Sequence, residues 1–230
     1  MVQKAIYMRI TLIHPSRNRP EMAHANYLNW LAKSEAHNSG NSKITIEHIL
    51  SLDLDEPRYD GYVRLFGAHH IVRENTSDGY VVGATNAAAQ YATGDILIYL
   101  SDDFDCPKHW DRLIVDRLNG LTMAGLEVSD AYQTNRNLLT IPIITRDLYD
   151  KWGFFWHPDF KSMFCDNFMF EQIKREGIIV DAMDLVFEHK HHSRGLMVKD
   201  ETNSRSEAEY NNGRLIFNKL SKALGWNCQY

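Results

Sequence analysis

The run Ser101-Asp102-Asp103-Phe104-Asp105 places three carboxylates close together, directly after an apolar segment that ends at Leu100. Carboxylates at the end of a buried strand can hold a hard divalent cation such as Mg²⁺ or Mn²⁺, which can then bridge to a diphosphate. Acidic residues also favour turns and helix caps, so Asp105 could instead cap a helix that begins after Pro107. The residues alone leave metal binding and capping equally open.

A histidine-rich run, Glu188-His189-Lys190-His191-His192, lies far along the chain from these carboxylates. In an extended segment, His189 and His191 face one side and His192 faces the other. One neutral imidazole could complete the coordination shell of a cation held by the aspartates. The alternative is a solvated polar strand end. A structural zinc site is disfavoured, because the positions of Cys165 and Cys228 in the sequence match no ligand spacing of known zinc sites.

Asp166 stands at the start of a predicted helix, after a segment at 152–164 that is rich in aromatic residues. An aspartate in this position commonly serves as the N-cap of the helix. It could instead act as a general base beside a reacting hydroxyl group. Both roles remain open from the residues alone.

The loop Pro15-Ser16-Arg17-Asn18-Arg19-Pro20 follows the first apolar run of the chain. Its two arginines could contact a diphosphate or stack on a nucleobase, or they could be exposed loop charges. No Gly-x-Gly-x-x-Gly motif occurs here, which disfavours a dinucleotide-binding fold of the Rossmann type. A nucleotidyltransferase would be favoured by a glycine-rich phosphate loop, and residues 14–20 contain no glycine.

The elements that position these residues alternate between apolar runs and helix-like stretches in the first half. We predict strands at 5–13, 44–52, 69–73 and 95–100, and helices at 20–34 and 78–92, the latter capped by Ser77 or Asp78. This order predicts an α/β fold with a mostly parallel sheet and helices on both faces. Ligands bind beyond the carboxyl ends of such strands, where the loops 14–19, 53–57 and 101–107 lie.

The second half is less regular. It predicts a strand at 138–145, a helix at 166–176, a strand at 184–189 and an amphipathic C-terminal helix at 204–224.

Bulk composition excludes several classes of protein. The 230 residues are 44% hydrophobic, which is enough for a buried core. No apolar run approaches the roughly 18 to 20 residues needed to span a bilayer, and residues 1–9 lack the pattern of a signal peptide. Three widely spaced cysteines favour a reducing compartment, so we expect a cytoplasmic protein. The net charge of -5 gives no overall attraction to nucleic acid or anionic lipid.

Taken in order, these segments resemble the family 2 type of GT-A glycosyltransferases. The loop Pro15-Ser16-Arg17-Asn18-Arg19 stands where that family has a Pro-Thr-x-Asn-Arg-like loop, and Asp53 and Asp55 stand where acidic residues contact the nucleobase. The most specific match is to an Asn-x-Gly, Ala-x-Asn-x-Ala and Ala-x-Gly-Asp succession. Here it reads Asn75-Thr76-Ser77-Asp78-Gly79, then Ala84-Thr85-Asn86-Ala87-Ala88-Ala89, then Ala92-Thr93-Gly94-Asp95.

The later motifs continue the resemblance. Ser101-Asp102-Asp103 is similar to the Asp-x-Asp region, and Cys165-Asp166 resembles a Glu-Asp pair whose aspartate is the base in inverting members. His189 or His191 resembles a late histidine that can join the metal shell.

The resemblance implies a GT-A fold in one domain over residues 1–230. It places the nucleotide-binding half in 1–110, the acceptor and catalytic half in 111–200, and a C-terminal helix in 201–230. The implied cofactor is Mn²⁺ or Mg²⁺, and the implied base is Asp166. The implied metal ligands are Asp103, Asp105, His189 and His191. The implied donor-binding residues are Ser16, Arg17, Arg19, Asp53, Asp55, Asn86 and Asp102.

The implied function is transfer of a sugar from a nucleoside diphosphate to an acceptor, with inversion if Asp166 is the base. The acceptor class stays open among a saccharide, a lipid-linked sugar, a protein, a small molecule and a modified nucleic acid. The alternatives are a nucleotidyltransferase of similar sheet architecture and a catalytically inactive sugar-binding relative.

Overall fold

The computed structural model describes residues 7–39, 43–76, 78, 80–132, 137–228 and 230. The strands are β1 (Met8–Pro15), β2 (Ile44–Asp53), β3 (Ile71–Asn75), β4 (Ile96–Tyr99), β5 (Ala124–Ser129), β6 (Ile143–Thr145) and β7 (Ile178–Val186). The helices are α1 (Pro20–Lys33), α2 (Glu35–Asn38), α3 (Tyr59–Phe66), α4 (Tyr80–Ala89), α5 (Trp110–Leu118), α6 (Arg146–Trp152), α7 (Cys165–Glu176), α8 (Glu201–Ala208) and α9 (Tyr210–Ala223).

All seven strands belong to one sheet, in the order β3-β2-β1-β4-β6-β5-β7. β1 pairs in parallel with β2 and β4, and β2 pairs in parallel with β3. β5 and β7 are also parallel, whereas β6 runs antiparallel to both β4 and β5. The predicted α/β fold with a mostly parallel sheet is therefore confirmed.

Apolar residues fill both faces of the sheet. Successive side chains of a strand point to opposite faces, so Ile10 and Leu12 of β1 enter one core with Trp30 of α1, whereas Ile13 enters another with Phe168 of α7. All five of these side chains are fully or almost fully buried. Helices thus cover both faces of the sheet, as predicted.

Gly94 allows the chain to pass close to β1 just before β4 begins. Its N–H donates to Thr11 Oγ1 at 2.9 Å, and a Cβ atom at this position would lie 2.6 Å from the Thr11 backbone nitrogen. Asp95 then accepts a 2.8 Å hydrogen bond from the N–H of Arg9. The Thr93-Gly94-Asp95 segment therefore sets where β4 lies beside β1.

Several predicted bounds were wrong. The strand predicted at 184–189 begins at Ile178, because β7 pairs along the whole of β5. The strand predicted at 138–145 is reduced to Ile143–Thr145. The helix predicted at 78–92 covers Tyr80–Ala89. Of its two predicted caps, Ser77 lies outside the described residues, and the Asp78 carboxylate accepts a hydrogen bond from the Thr76 hydroxyl. The elements α2, α3, β5 and α6 were not predicted.

The predicted C-terminal helix at 204–224 is two helices, α8 and α9. Asp200 begins α8 with a capping box, in which its side chain accepts from the Asn203 N–H and the Asn203 side chain accepts from the Asp200 N–H. The chain turns at Glu209 before α9. Within the described ranges, no helix combines the length and the apolar character required to cross a bilayer.

Docking of α9 on the core yields a stability prediction. Phe217 is fully buried among the residues that cover the α7 face of the sheet, whereas Leu215 on the same helix is 65% exposed. Phe217→Ala should lower the free energy of unfolding by about 3–5 kcal/mol, and Leu215→Ala should change it by less than about 0.5 kcal/mol. Urea denaturation measures both, and equal small effects would show that α9 is not docked as described.

Candidate active site

A cavity of about 270 Å³ opens beyond the carboxyl ends of β1, β2 and β4. The loops after these strands meet there because parallel strands end at the same edge of a sheet. Nine of the twelve predicted site residues line the cavity: Ser16, Arg17, Arg19, Asp53, Asp102, Asp103, Asp166, His189 and His191.

Asp103 and His189 lie together although they are far apart in the chain. An antiparallel bridge pairs Phe104 with His189, and the Lys190 N–H donates to the Asp103 carbonyl at 2.8 Å. His189 Nε2 lies 3.4 Å from Asp103 Oδ2, and the His189 ring stacks on Phe104 with 4.1 Å between ring centroids. This bridge joins the acidic run to the histidine run.

The carboxylate of Asp103 is held in its ionised form. Burial opposes ionisation, but hydrogen bonds from His189 and Ser101 and the nearby positive charges outweigh it and lower the pKa of Asp103. Ser101 Oγ donates to Asp103 Oδ1 at 2.7 Å. An ionised carboxylate beside an imidazole is a suitable pair of ligands for a divalent cation.

His191 lies between two groups of side chains that could bind a metal ion. Its ring centroid is 4.9 Å from that of His189, and it lines the same cavity. It also belongs to a trio with His192 and Glu207, whose ligand atoms lie within 4.8 Å of one another. His192 Nε2 is 2.8 Å from Glu207 Oε1, which links the histidine run to α8.

Asp102 connects the loop after β4 to the loop after β1. Its Oδ1 lies 2.8 Å from His14 Nε2, and its Oδ2 accepts a 2.8 Å hydrogen bond from Ser16 Oγ. Ser16 Oγ is also 2.7 Å from the Tyr62 hydroxyl, which accepts from the Arg19 N–H at 2.9 Å. Burial raises the pKa of Tyr62 far above its usual value, so its hydroxyl stays protonated.

Sequence reasoning missed His14 and Tyr62. Both side chains are fully buried. Tyr62 belongs to α3 and His14 to the end of β1, and no local motif marks either position. A histidine at the end of an otherwise apolar strand was the one available signal.

Arg17 lies between the two acidic residues that follow β2. Its Nη1 donates to Asp53 Oδ2 and to Asp55 Oδ1, both at 2.8 Å. Asp53 is buried and also accepts from Asn75 Nδ2 at 2.6 Å. Asp55 is exposed and does not line the cavity, so it contributes to this edge through Arg17.

Arg19 pairs with Asp200, the residue that caps α8. Arg19 Nε and Nη2 donate to the two carboxylate oxygens of Asp200 at 2.6 and 2.7 Å. This pairing brings α8 to the cavity, where Thr202, Asn203, Arg205 and Ser206 join the lining. Sequence analysis missed these residues because it did not recognise the capping box at Asp200.

Asp166 lies in the first turn of α7, and the N-cap of that helix is Phe164. The interpretation of Asp166 as the N-cap is therefore wrong. Its Oδ1 accepts from the Asn167 N–H at 2.9 Å, and the side chain lines the cavity. Burial raises the pKa of Asp166 to about 6. Such a carboxyl group can accept a proton near neutral pH.

Asn86 does not line the cavity but supports the aromatic segment that does. Its Oδ1 accepts from the N–H groups of Phe155 and Trp156 at 3.0 and 2.9 Å, and its Nδ2 donates to the Trp156 carbonyl at 2.8 Å. Phe155 is core, whereas Trp156 is 3% exposed and lines the cavity. The Trp156 Nε1–H has no hydrogen-bond partner among the described residues.

Asp105 is also placed outside the cavity. It pairs with the Lys33 ammonium group and accepts from Asn29 Nδ2 at 2.6 Å, so its carboxylate faces α1. Asp105 Oδ1 also accepts from the Cys106 N–H at 2.8 Å. The structure thus groups Asp102 and Asp103 at the cavity and separates Asp105 from them.

Comparison with solved structures identifies the fold. No protein-family model and no curated protein sequence matches the chain. The structure is similar to mannosyltransferase PcManGT from Pyrobaculum calidifontis in complex with GDP-Man and Mn²⁺, with a TM-score of 0.58 and 17% identity over 79% of this chain and 56% of that one. The chain has the GT-A glycosyltransferase fold.

Two other GT-A structures support this assignment. TarS of S. aureus gives a TM-score of 0.55 at 14% identity, covering 78% of this chain and 36% of that one. The catalytic domain of Drosophila beta1,4galactosyltransferase 7, in complex with xylobiose, gives 0.54 at 12% identity, covering 87% of this chain and 79% of that one. This chain therefore spans about a third of TarS and over half of the mannosyltransferase.

The raised pKa of Asp166 predicts a pH-dependent stability difference. A carboxyl group whose pKa is higher in the folded than in the unfolded chain stabilises the fold when protonated, and that contribution is lost as pH rises from about 4 through 6. Relative to Asp166→Asn, the wild-type chain should lose up to about 3 kcal/mol over this range. Chemical denaturation of both proteins at pH 4 and pH 7 measures this, and a pH-independent difference would contradict the burial of Asp166.

Proposed function

We propose that the chain is a divalent-metal-dependent glycosyltransferase that transfers a sugar from a nucleoside diphosphate to a hydroxyl acceptor with inversion. The observation that carries the proposal is the joint placement of Asp103, His189 and Asp166 around one cavity at the carboxyl end of a GT-A sheet. This cavity supplies ligands for a cation and, separately, a carboxyl group suited to take a proton.

The carboxylates that follow β4 favour a cation in their part of the cavity. Asp102, Asp103 and Asp166 line it together, and a bare diphosphate placed there would meet these carboxylates at close range. Asp103 and His189 would hold the cation, with His191 as the nearest further ligand. When bound, Mn²⁺ or Mg²⁺ neutralises the charge that develops on the departing diphosphate. Asp105 is left out of the proposed ligand set because it pairs with Lys33.

The donor is assigned to the edge of the cavity formed by the loops after β1 and β2. Arg17 and Asp53 would contact the nucleoside, and Ser16 and Asp102 would hold the loop that carries Arg17. Structures of TarS contain UDP or UDP-GlcNAc, and a structure of PcManGT contains GDP-Man. These ligands support a nucleoside-diphosphate sugar as the donor class and leave the base and the sugar open.

Asp166 is the proposed general base. The acceptor oxygen forms a bond to the anomeric carbon as the bond from that carbon to the diphosphate oxygen breaks. The bonding electron pair leaves with the diphosphate, and the acceptor proton moves to Asp166. Trp156 is the aromatic side chain of segment 152–164 that lines the cavity. We therefore assign the acceptor to this side of the cavity.

Each of the three proposed segments of the chain supplies a different part of the cavity wall. Residues 1–110 supply the donor side and the acidic run, and residues 111–200 supply Asp166, Trp156 and the histidines. Residues 201–230 do more than pack on the core, because α8 lines the cavity. The free cysteines Cys106, Cys165 and Cys228 support the proposal of a reducing, cytoplasmic compartment.

Asp103 and Asp105 form a matched pair for testing metal dependence. With Mn²⁺ and a panel of nucleotide sugars, slow donor hydrolysis can be measured as release of the nucleoside diphosphate, with water in place of the acceptor. Asp103→Asn should abolish this release, because Asp103 is a proposed cation ligand, whereas Asp105→Asn should retain it. Full activity under exhaustive chelation would overturn the metal requirement.

Substitution of Asp166 tests the base. Asp166→Asn should lower turnover by about 10²- to 10⁴-fold while the dissociation constant of the donor stays unchanged. In the wild-type enzyme, kcat should fall as pH drops through about 6, because protonated Asp166 cannot accept a proton. An Asn variant with near-normal turnover would rule out the base role and remove the main support for inversion.

A further inference from the structure

Arg17, Arg19 and Arg205 all line the cavity, but acidic partners neutralise them to different extents. Arg17 donates to both Asp53 and Asp55. Arg19 donates two short hydrogen bonds to Asp200, so its guanidinium is committed to α8. Of these three arginines, Arg205 makes the fewest hydrogen bonds to carboxylates among the described residues.

The guanidinium of Arg205 is packed but not saturated. It lies over the Tyr80 ring, 4.0 Å from the ring centroid, and its side chain is 21% exposed. Among the described residues, its one hydrogen bond is the 3.5 Å contact from Nη1 to Asp53 Oδ2. A guanidinium carries five N–H donors, so most of them remain for a ligand in the cavity.

The position of Arg205 is set by the start of α8. Asp200 caps the helix and pairs with Arg19, and Thr202 Oγ1 donates to the Arg17 carbonyl at 3.2 Å. Both contacts reach the loop after β1, which carries the proposed donor-binding residues. α8 is therefore attached to the donor side of the cavity at two points before the chain reaches Arg205.

We infer that Arg205 is a further donor-binding residue that contacts the nucleoside part of the donor, and that α8 forms one wall of the nucleoside site. Arg205 lies beside Asp53 at the end of β2, whereas Asp103 follows β4. β1 separates these strands, so the two positions are about 10 Å apart. That separation places Arg205 away from the cation and beside the base or ribose. The inference rests on the proposed function.

The stacked pair of Tyr80 and Arg205 adds a physical reason for this assignment. A planar guanidinium over an aromatic ring forms a flat, partly apolar surface with hydrogen-bond donors at its edge. A nucleobase offers a matching flat face and acceptor atoms. Lysine at this position would keep the charge but lose the planar surface and two of the five donors.

The test uses the 230-residue chain and four variants, at Arg17, Arg205 and Arg214. Binding of UDP, GDP, ADP and CDP is measured by calorimetry with Mn²⁺, and the tightest of these is compared with its nucleoside monophosphate by ligand-observed NMR. Arg205→Ala should weaken both ligands by about 10- to 100-fold. Arg205→Lys should also weaken both, by a smaller factor. Arg214→Ala, at an exposed position of α9, should bind like the wild type.

Each outcome separates this inference from the proposed function. If the wild type binds none of the four diphosphates, the proposed function fails. If Arg17→Ala weakens binding but Arg205→Ala and Arg205→Lys do not, only the role of Arg205 is overturned. A loss confined to the diphosphate, with monophosphate binding unchanged, would move Arg205 to the phosphates and overturn the nucleoside placement. Arg205→Lys keeps the test decisive if Arg205→Ala lowers the melting temperature.

Discussion

The candidate site depends on the backbone bridge between Phe104 and His189. This bridge fixes the loop after β4 against the chain that leaves β7, and it brings the carboxylate of Asp103 within 3.4 Å of His189 Nε2. The two segments are 85 residues apart, and the position of His189 depends on the register in which β7 pairs with β5. This arrangement brings a carboxylate and an imidazole to the same cavity, and the chemistry proposed for that cavity depends on both.

The ion pairs on the proposed donor side also join segments that are far apart in the chain. Arg19 contacts Asp200 across 181 positions of the chain, and Arg205 contacts Asp53 across 152. These contacts make α8 part of the cavity instead of a helix that only packs on the outside. In this arrangement α8 forms one wall of the proposed donor side. The cation proposed at Asp103 would offset the charge of the carboxylates that follow β4.

Sequence analysis predicted the first four strands, α1, α4 and α7 because each is a local apolar run or a periodic stretch with a recognisable end. It predicted nine of the residues that line the cavity, and most of these assignments came from the order of motifs after successive strands. It missed α2, α3, β5 and α6, and it joined α8 and α9 into one helix. His14, Tyr62 and Arg205 were missed because their roles depend on strand register and helix placement, which no local pattern states. Asp105 and Asn86 illustrate the converse, since both match a motif but point away from the cavity.

Anomalous diffraction at the manganese edge, from crystals of the chain grown with Mn²⁺ and the nucleoside diphosphate that binds most tightly, would locate the cation. We expect a strong anomalous peak within coordination distance of Asp103 and His189, with the diphosphate bound to the same ion. A peak at His191, His192 and Glu207 alone, or a nucleotide bound with no ion near Asp103, would contradict the proposed cation site.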